Sequence, residues 1–86
     1  GVDVIILLSA TTDPADPGSE WLTGDRRSAL QRFVRDGGGV LAIHAAADSH
    51  YHWPWYRQLI GGVFASHPPG TPEARVVNLA PDDPLM

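Results

Sequence analysis

The chain has 86 residues and a formal net charge of −4, from 6 basic and 10 acidic side chains, with no cysteine and no lysine. The missing cysteine excludes a disulfide, a thiolate nucleophile and a Cys-based zinc site. The scattered arginines form no basic stripe for nucleic acid, and no apolar run is long enough to span a bilayer, so neither is an expected partner.

In chain order, VDVIILLS (residues 2–9) is an aliphatic run rich in β-branched residues, which predicts a strand buried on both faces. ATTDPADPGSE is dense in Pro, Asp, Gly and Thr and predicts a loop. Over 23–36, Leu22, Ala29, Leu30, Phe33 and Val34 share one face of a helix. Arg26, Arg27, Gln31 and Arg35 lie largely opposite. Thr23 suits the N-cap and Gly37 the left-handed position after the last turn. GVLAI predicts a second buried strand over 39–44, making a parallel, right-handed strand–helix–strand unit. Pro54 suits the start of a second helix that stops at Gly61-Gly62. EARVVNLA predicts an exposed or edge strand, and PDDPLM a loop. The chain opens within a strand, without an initiator Met or a leader-like run. Residues 1–86 therefore read as an internal fragment of one domain, cytoplasmic in expectation, with export left open. A homo-oligomer is also left open.

The chemistry concentrates after the second strand. Ligands of open α/β sheets sit outside the carboxyl ends of strands, where His44 falls. Ala45, Ala46 and Ala47 supply the small neighbours that a sharp strand-to-helix elbow needs. His44 and Asp48 are thus presented to a crevice, or else His44 merely bonds a neighbouring loop. In DSHYHWPWY, aromatic rings beside polar groups suit a sugar, whose faces stack while its hydroxyls need fixed partners. Trp53, Trp55, Tyr56 and His50 are the candidate substrate-binding residues, although packing is the favoured role for Trp55 and Tyr56. His50 and His52 form an i, i+2 pair that also reads as two exposed loop histidines. His67, stiffened by Pro68, faces His44 across the crevice or caps a loop. No G-x-S-x-G, H-E-x-x-H or phosphate-cradling loop is present.

The stretch LTGDRRSALQRFVRDGGGVLAIHAAADSHYHWPWYRQLIGGVFASHPPG resembles the ThuA-like (trehalose-utilisation) domain. The shared elements are an L-T-x-x-[QR] helix, G-G-G-x-x-x-I-H-A-A-x-D, W-x-W-Y, G-G-x-F and a following H-P. The resemblance covers nearly the whole chain. It implies an α/β, flavodoxin-like or class I glutamine amidotransferase-like three-layer sandwich with a mainly parallel sheet. His44 stands where amidotransferases carry the elbow cysteine, so this chain is not a glutamine amidotransferase. Asp83 stands where the family often has a histidine.

The resemblance further implies carbohydrate metabolism, with a disaccharide or keto-sugar processed by a hydrolase or related enzyme. His44, Asp48 and His67 are then the catalytic candidates: His44 as general acid/base, Asp48 orienting it or binding sugar hydroxyls, and His67 as second base. Imidazoles as a class titrate near about pH 6.5, which suits such work. His44 and His67 are also candidate ligands of zinc or another divalent metal, completed by Asp48, His50, His52 or residues elsewhere. The alternative is a non-catalytic sugar-binding or interaction domain on an amidotransferase-like scaffold.

Overall fold

The computed structural model describes residues 1–85. Two parallel strands, β1 (Val4–Leu8) and β2 (Gly39–Ile43), pair from Val4↔Gly39 to Leu8↔Ile43. Helix α1 (Asp25–Arg35) connects them, and α2 (Pro54–Ile60) follows β2 after a 3₁₀ turn over His44–Ala47. The strand–helix–strand unit expected from the sequence is present, with the strands adjacent and parallel. No helix among the described residues is long and apolar enough to cross a membrane.

Each stop signal acts through a definite geometry. Gly37 adopts φ 96° at the end of α1. Its N–H donates to the Val34 carbonyl at 3.1 Å, and the Gly38 N–H to the Phe33 carbonyl at 2.9 Å. These two bonds form a Schellman ending. The start of α1 differs from expectation, because Gly24 at φ 53°, and not Thr23, is the N-cap and no side chain caps it. The first turn is secured instead by arginines: Arg26 Nη1 donates to Trp21 O at 2.8 Å and Arg27 Nε to Leu22 O at 2.8 Å. Pro54 opens α2, and Gly61 closes it at φ 93°.

The core gathers Leu7, Leu22, Leu30, Ala46, Trp53 and Tyr56, with Ile5, Phe33, Val34, Val40 and Ala42 half-buried around them. Ile5, Leu7, Val40 and Ala42 alternate along the strands and share the covered face of the sheet. Val4, Ile6, Leu8, Leu41 and Ile43 lie on the other face and are exposed. The described residues thus form an α/β unit with helices against one side of a two-stranded sheet.

Three further expectations need correction. The strands, expected to be buried, β1 on both faces, are covered on one face only, because no second layer packs on Val4, Ile6, Leu8, Leu41 and Ile43 among the described residues. Residues 73–80 form no strand, and Val76 and Leu79 stand 96% and 89% exposed. A strand exists only as a member of a ladder, and the β1–β2 pair does not reach this segment. Arg27, expected on the solvated face of α1, is half-buried instead. Its Nη2 lies 2.9 Å from Oε1 of the buried Glu20, and its guanidinium sits 4.8 Å from the centre of a Trp53 ring.

Candidate functional site

Beyond Ile43 the chain turns sharply. His44 takes φ 54°, a left-handed conformation that is uncommon for a non-glycine residue. The cost of such a residue is about 1–3 kcal/mol, and such residues concentrate at functional sites. Small neighbours permit the turn, since Ala46 is fully buried beneath it. The Asp48 N–H closes the turn on Ala45 O at 3.0 Å. The buried Tyr56 hydroxyl donates to Ala46 O at 2.7 Å, which fastens α2 to the turn. Burial raises the Tyr56 pKa, so its phenol stays protonated and available as that donor. This is the elbow that the alanines suggest, with a histidine at its apex.

The turn forms one wall of a cleft of about 560 Å³ lined by His44, Asp48, Ile60, Val63, Phe64 and His67, among others. The segment after α2 supplies the other wall and is tied across by the Phe64 N–H, which donates to Ala47 O at 2.8 Å. His44, Asp48 and His67, the three catalytic candidates, therefore border one space. His67 Nδ1 lies 2.7 Å from Pro68 O. A carbonyl only accepts, so Nδ1 bears a proton, and in the neutral ring Nε2 is the nitrogen with the lone pair. The His67 ring leans on Phe64 with centroids 5.8 Å apart.

The partners within the site differ from those expected. Asp48 does not turn to His44; its Oδ1 accepts the hydroxyl of Tyr51, which also lies 3.3 Å from Phe64 O. Burial, then the hydrogen bond and charge of Asp48, push the Tyr51 phenol up to about 12. Tyr51 therefore remains a donor at neutral pH. The neighbour of His44 is Ser9, whose Oγ lies 3.4 Å from Nδ1. Sequence reasoning missed Phe64 in the cleft wall, and Ser9 and Tyr51 as partners of His44 and Asp48. Ser9 directly follows the last residue of β1, so the strand-end rule that singles out His44 applies to it equally.

His50, Trp53 and Tyr56 lie in the core rather than along the cleft. His50 is 1% exposed: Leu22 N–H donates to its Nε2 at 3.1 Å, and its Nδ1 meets Ser49 Oγ at 2.7 Å. Trp21, Trp53 and Tyr56 surround its ring at 5.2, 6.2 and 4.9 Å. His50 is thus a core histidine with both nitrogens engaged, not an exposed loop residue. Trp55 is half-buried and stacks on Trp53 at 5.0 Å. His52 is exposed, and its Nε2 lies 3.0 Å from Pro14 O. Among the described residues no three His, Asp or Glu side chains gather so as to hold a metal ion. His44, Asp48 and His67 therefore do not compose the set of three protein ligands that a zinc site uses.

The family model for trehalose utilisation, ThuA, matches residues 1–86. The chain belongs to the ThuA family. No curated protein and no solved structure matches it. The match spans both strands, both helices and the cleft, and it associates the ThuA domain with carbohydrate metabolism.

Proposed function

We propose that this ThuA domain acts on a disaccharide or keto-sugar held in the cleft between the 44–48 turn and the 60–67 segment. The reaction is that of a hydrolase or related sugar-processing enzyme. The observation that carries the proposal is His44, held left-handed at the carboxyl end of β2 and bordering the same cleft as Asp48 and His67. Strain of that kind persists only where the surroundings enforce it, and here it lifts an imidazole to the edge where α/β sheets bind ligands. In this reading His44 transfers a proton to or from a sugar oxygen. Asp48, steadied by Tyr51, accepts from sugar hydroxyls, and the Nε2 lone pair of His67 serves as a second base. Phe64, 41% exposed, offers a ring face for the apolar side of a pyranose. The exposed apolar face of the sheet suits a further helical layer, as in a flavodoxin-like sandwich.

The test is turnover of trehalose, other disaccharides and their keto derivatives by the intact protein and by His44→Ala. A general acid/base contributes typically about 10²–10⁴-fold, so His44→Ala is expected to lose at least 100-fold in kcat with little change in fold. Turnover equal to that of the wild type removes His44 from the chemistry. One observation favours a second reading, a sugar-binding domain without catalysis: Asp48 pairs with Tyr51 and not with His44, so no carboxylate–imidazole dyad is assembled. Saturable sugar binding with no product from any of these sugars decides for that reading.

A further inference from the structure

The two strands end side by side. Leu8 and Ile43 form the last rung of the ladder, and the Ser9 N–H donates to Ile43 O at 3.2 Å. Ser9 and His44 are therefore opposite neighbours one step beyond the sheet. Both leave the extended conformation in the same way, at φ 51° and φ 54°. A single left-handed residue closes a turn. Two of them in register, neither a glycine, bring a hydroxyl against one nitrogen of one ring: Ser9 Oγ stands 3.4 Å from His44 Nδ1. With Nδ1 beside Ser9, Nε2 is the other ring nitrogen of a residue that borders the cleft.

We infer that Ser9 is a positioning residue for His44: its hydroxyl engages Nδ1, orients the imidazole and leaves Nε2 as the atom that meets a ligand. A neutral imidazole carries one N–H and one lone pair, and the partner of one nitrogen decides which role the other has. A hydroxyl rotates to give or to accept, and at 3.4 Å the contact lies at the long end of a hydrogen bond. Ser9 therefore biases the ring toward one orientation, with Nδ1 on the hydroxyl, and its hydrogen bond alters the balance of the two tautomers. Without it, a 180° flip about the Cβ–Cγ bond puts Cδ2 where Nδ1 stood and Cε1 where Nε2 stood, and the cleft meets a mixture of ring orientations. The proposed carbohydrate supplies only the identity of the ligand; the effect of Ser9 on the ring does not depend on it.

The experiment uses the intact protein with ¹⁵N-labelled histidine and two variants, Ser9→Ala and Ser9→Gly. Nitrogen chemical shifts report the protonation of Nδ1 and Nε2 of His44, and urea midpoints report stability. Glycine accepts φ 51° without strain, so Ser9→Gly should hold or raise the midpoint while deleting the hydroxyl. If Ser9 positions the ring, both variants change the His44 nitrogen shifts toward an averaged pattern. Both also weaken trehalose binding or turnover, by roughly 10- to 100-fold if the loss matches that for outer partners of metal-bound histidines. Unchanged His44 shifts in both variants overturn the inference, whatever trehalose does. Altered shifts in a protein that neither binds nor turns over trehalose uphold the role of Ser9 while counting against the carbohydrate reading.

Discussion

At His50 the position of one proton sets both stability and local structure. Leu22 N–H donates to Nε2, so Nδ1 carries the ring proton and donates to Ser49 Oγ. Protonating Nε2 would set a donor against a donor within the core. Burial accordingly lowers the His50 pKa; the Glu20 carboxylate opposes that shift and Arg27 adds to it. Because the folded value lies below the unfolded value of about 6.5, the unfolded chain takes up the proton first as pH falls. Stability is therefore full above about pH 6.5 and declines as pH drops toward the lowered folded value. Urea midpoints between pH 7.5 and 5 should show this decline. His50→Gln should be less stable at pH 7.5 and lose that part of the slope; an identical slope would assign the pH dependence to other groups.

The end of α1 carries a packing constraint that the helix pattern does not announce. A Cβ built on Gly38 would lie 2.4 Å from the Phe33 ring, which covers the Schellman turn. Gly38→Ala therefore forces the ring off its site against the core, an overpacking expected to lower stability by about 1–3 kcal/mol in urea unfolding. Phe33→Leu alone also loses stability, by removing buried ring area. The double variant should lose less than the sum of the two, because the shorter side chain vacates the space that the new methyl needs. Additive losses would show that the ring and Gly38 do not constrain each other. The second strand begins at Gly39, so this turn also sets where β2 enters its register with β1.

Across the whole molecule, the 10–24 loop is held by Leu22 in the core and by buried polar bonds to the 48–53 segment. Thr12 N–H donates to Asp48 O at 3.1 Å, and His50 N–H donates to Thr12 Oγ1 at 2.8 Å. The buried Glu20 accepts from His52 N–H at 3.0 Å and from Arg27 at 2.9 Å. That one carboxylate links the loop, α1 and the residues before α2. Glu20→Ala would strand an amide and a guanidinium. Arg27 is 29% exposed and reaches water, so the loss should be about 2–3 kcal/mol rather than the 3–5 of a fully buried broken pair. Glu20→Gln keeps an acceptor and should lose less than half as much in the same urea measurement. Equal losses would mean that charge, not hydrogen bonding, holds the three segments together.

The elements were legible in the sequence because their signals are local. The apolar run of β1, the spacing of Leu30, Phe33 and Val34, the glycines at 37 and 61 and Pro54 each act within a few residues through φ restriction or periodicity. The elbow was legible for the same reason, since His44 and its three alanines are contiguous. The whole-chain likeness to ThuA was legible as well. Partner choice was decided only by the tertiary structure. Ser9 and His44 are 35 positions apart, Leu22 and His50 are 28, and Thr12 and His50 are 38. No spacing rule reaches that far, because such contacts exist only once β1 and β2 pair and the 10–24 loop folds back. That folding drew His50 into the core and set Ser9 beside His44, while Asp48 went to Tyr51 nearby. It left residues 73–80 without a ladder, since a strand takes its structure from a neighbour and not from its own sequence.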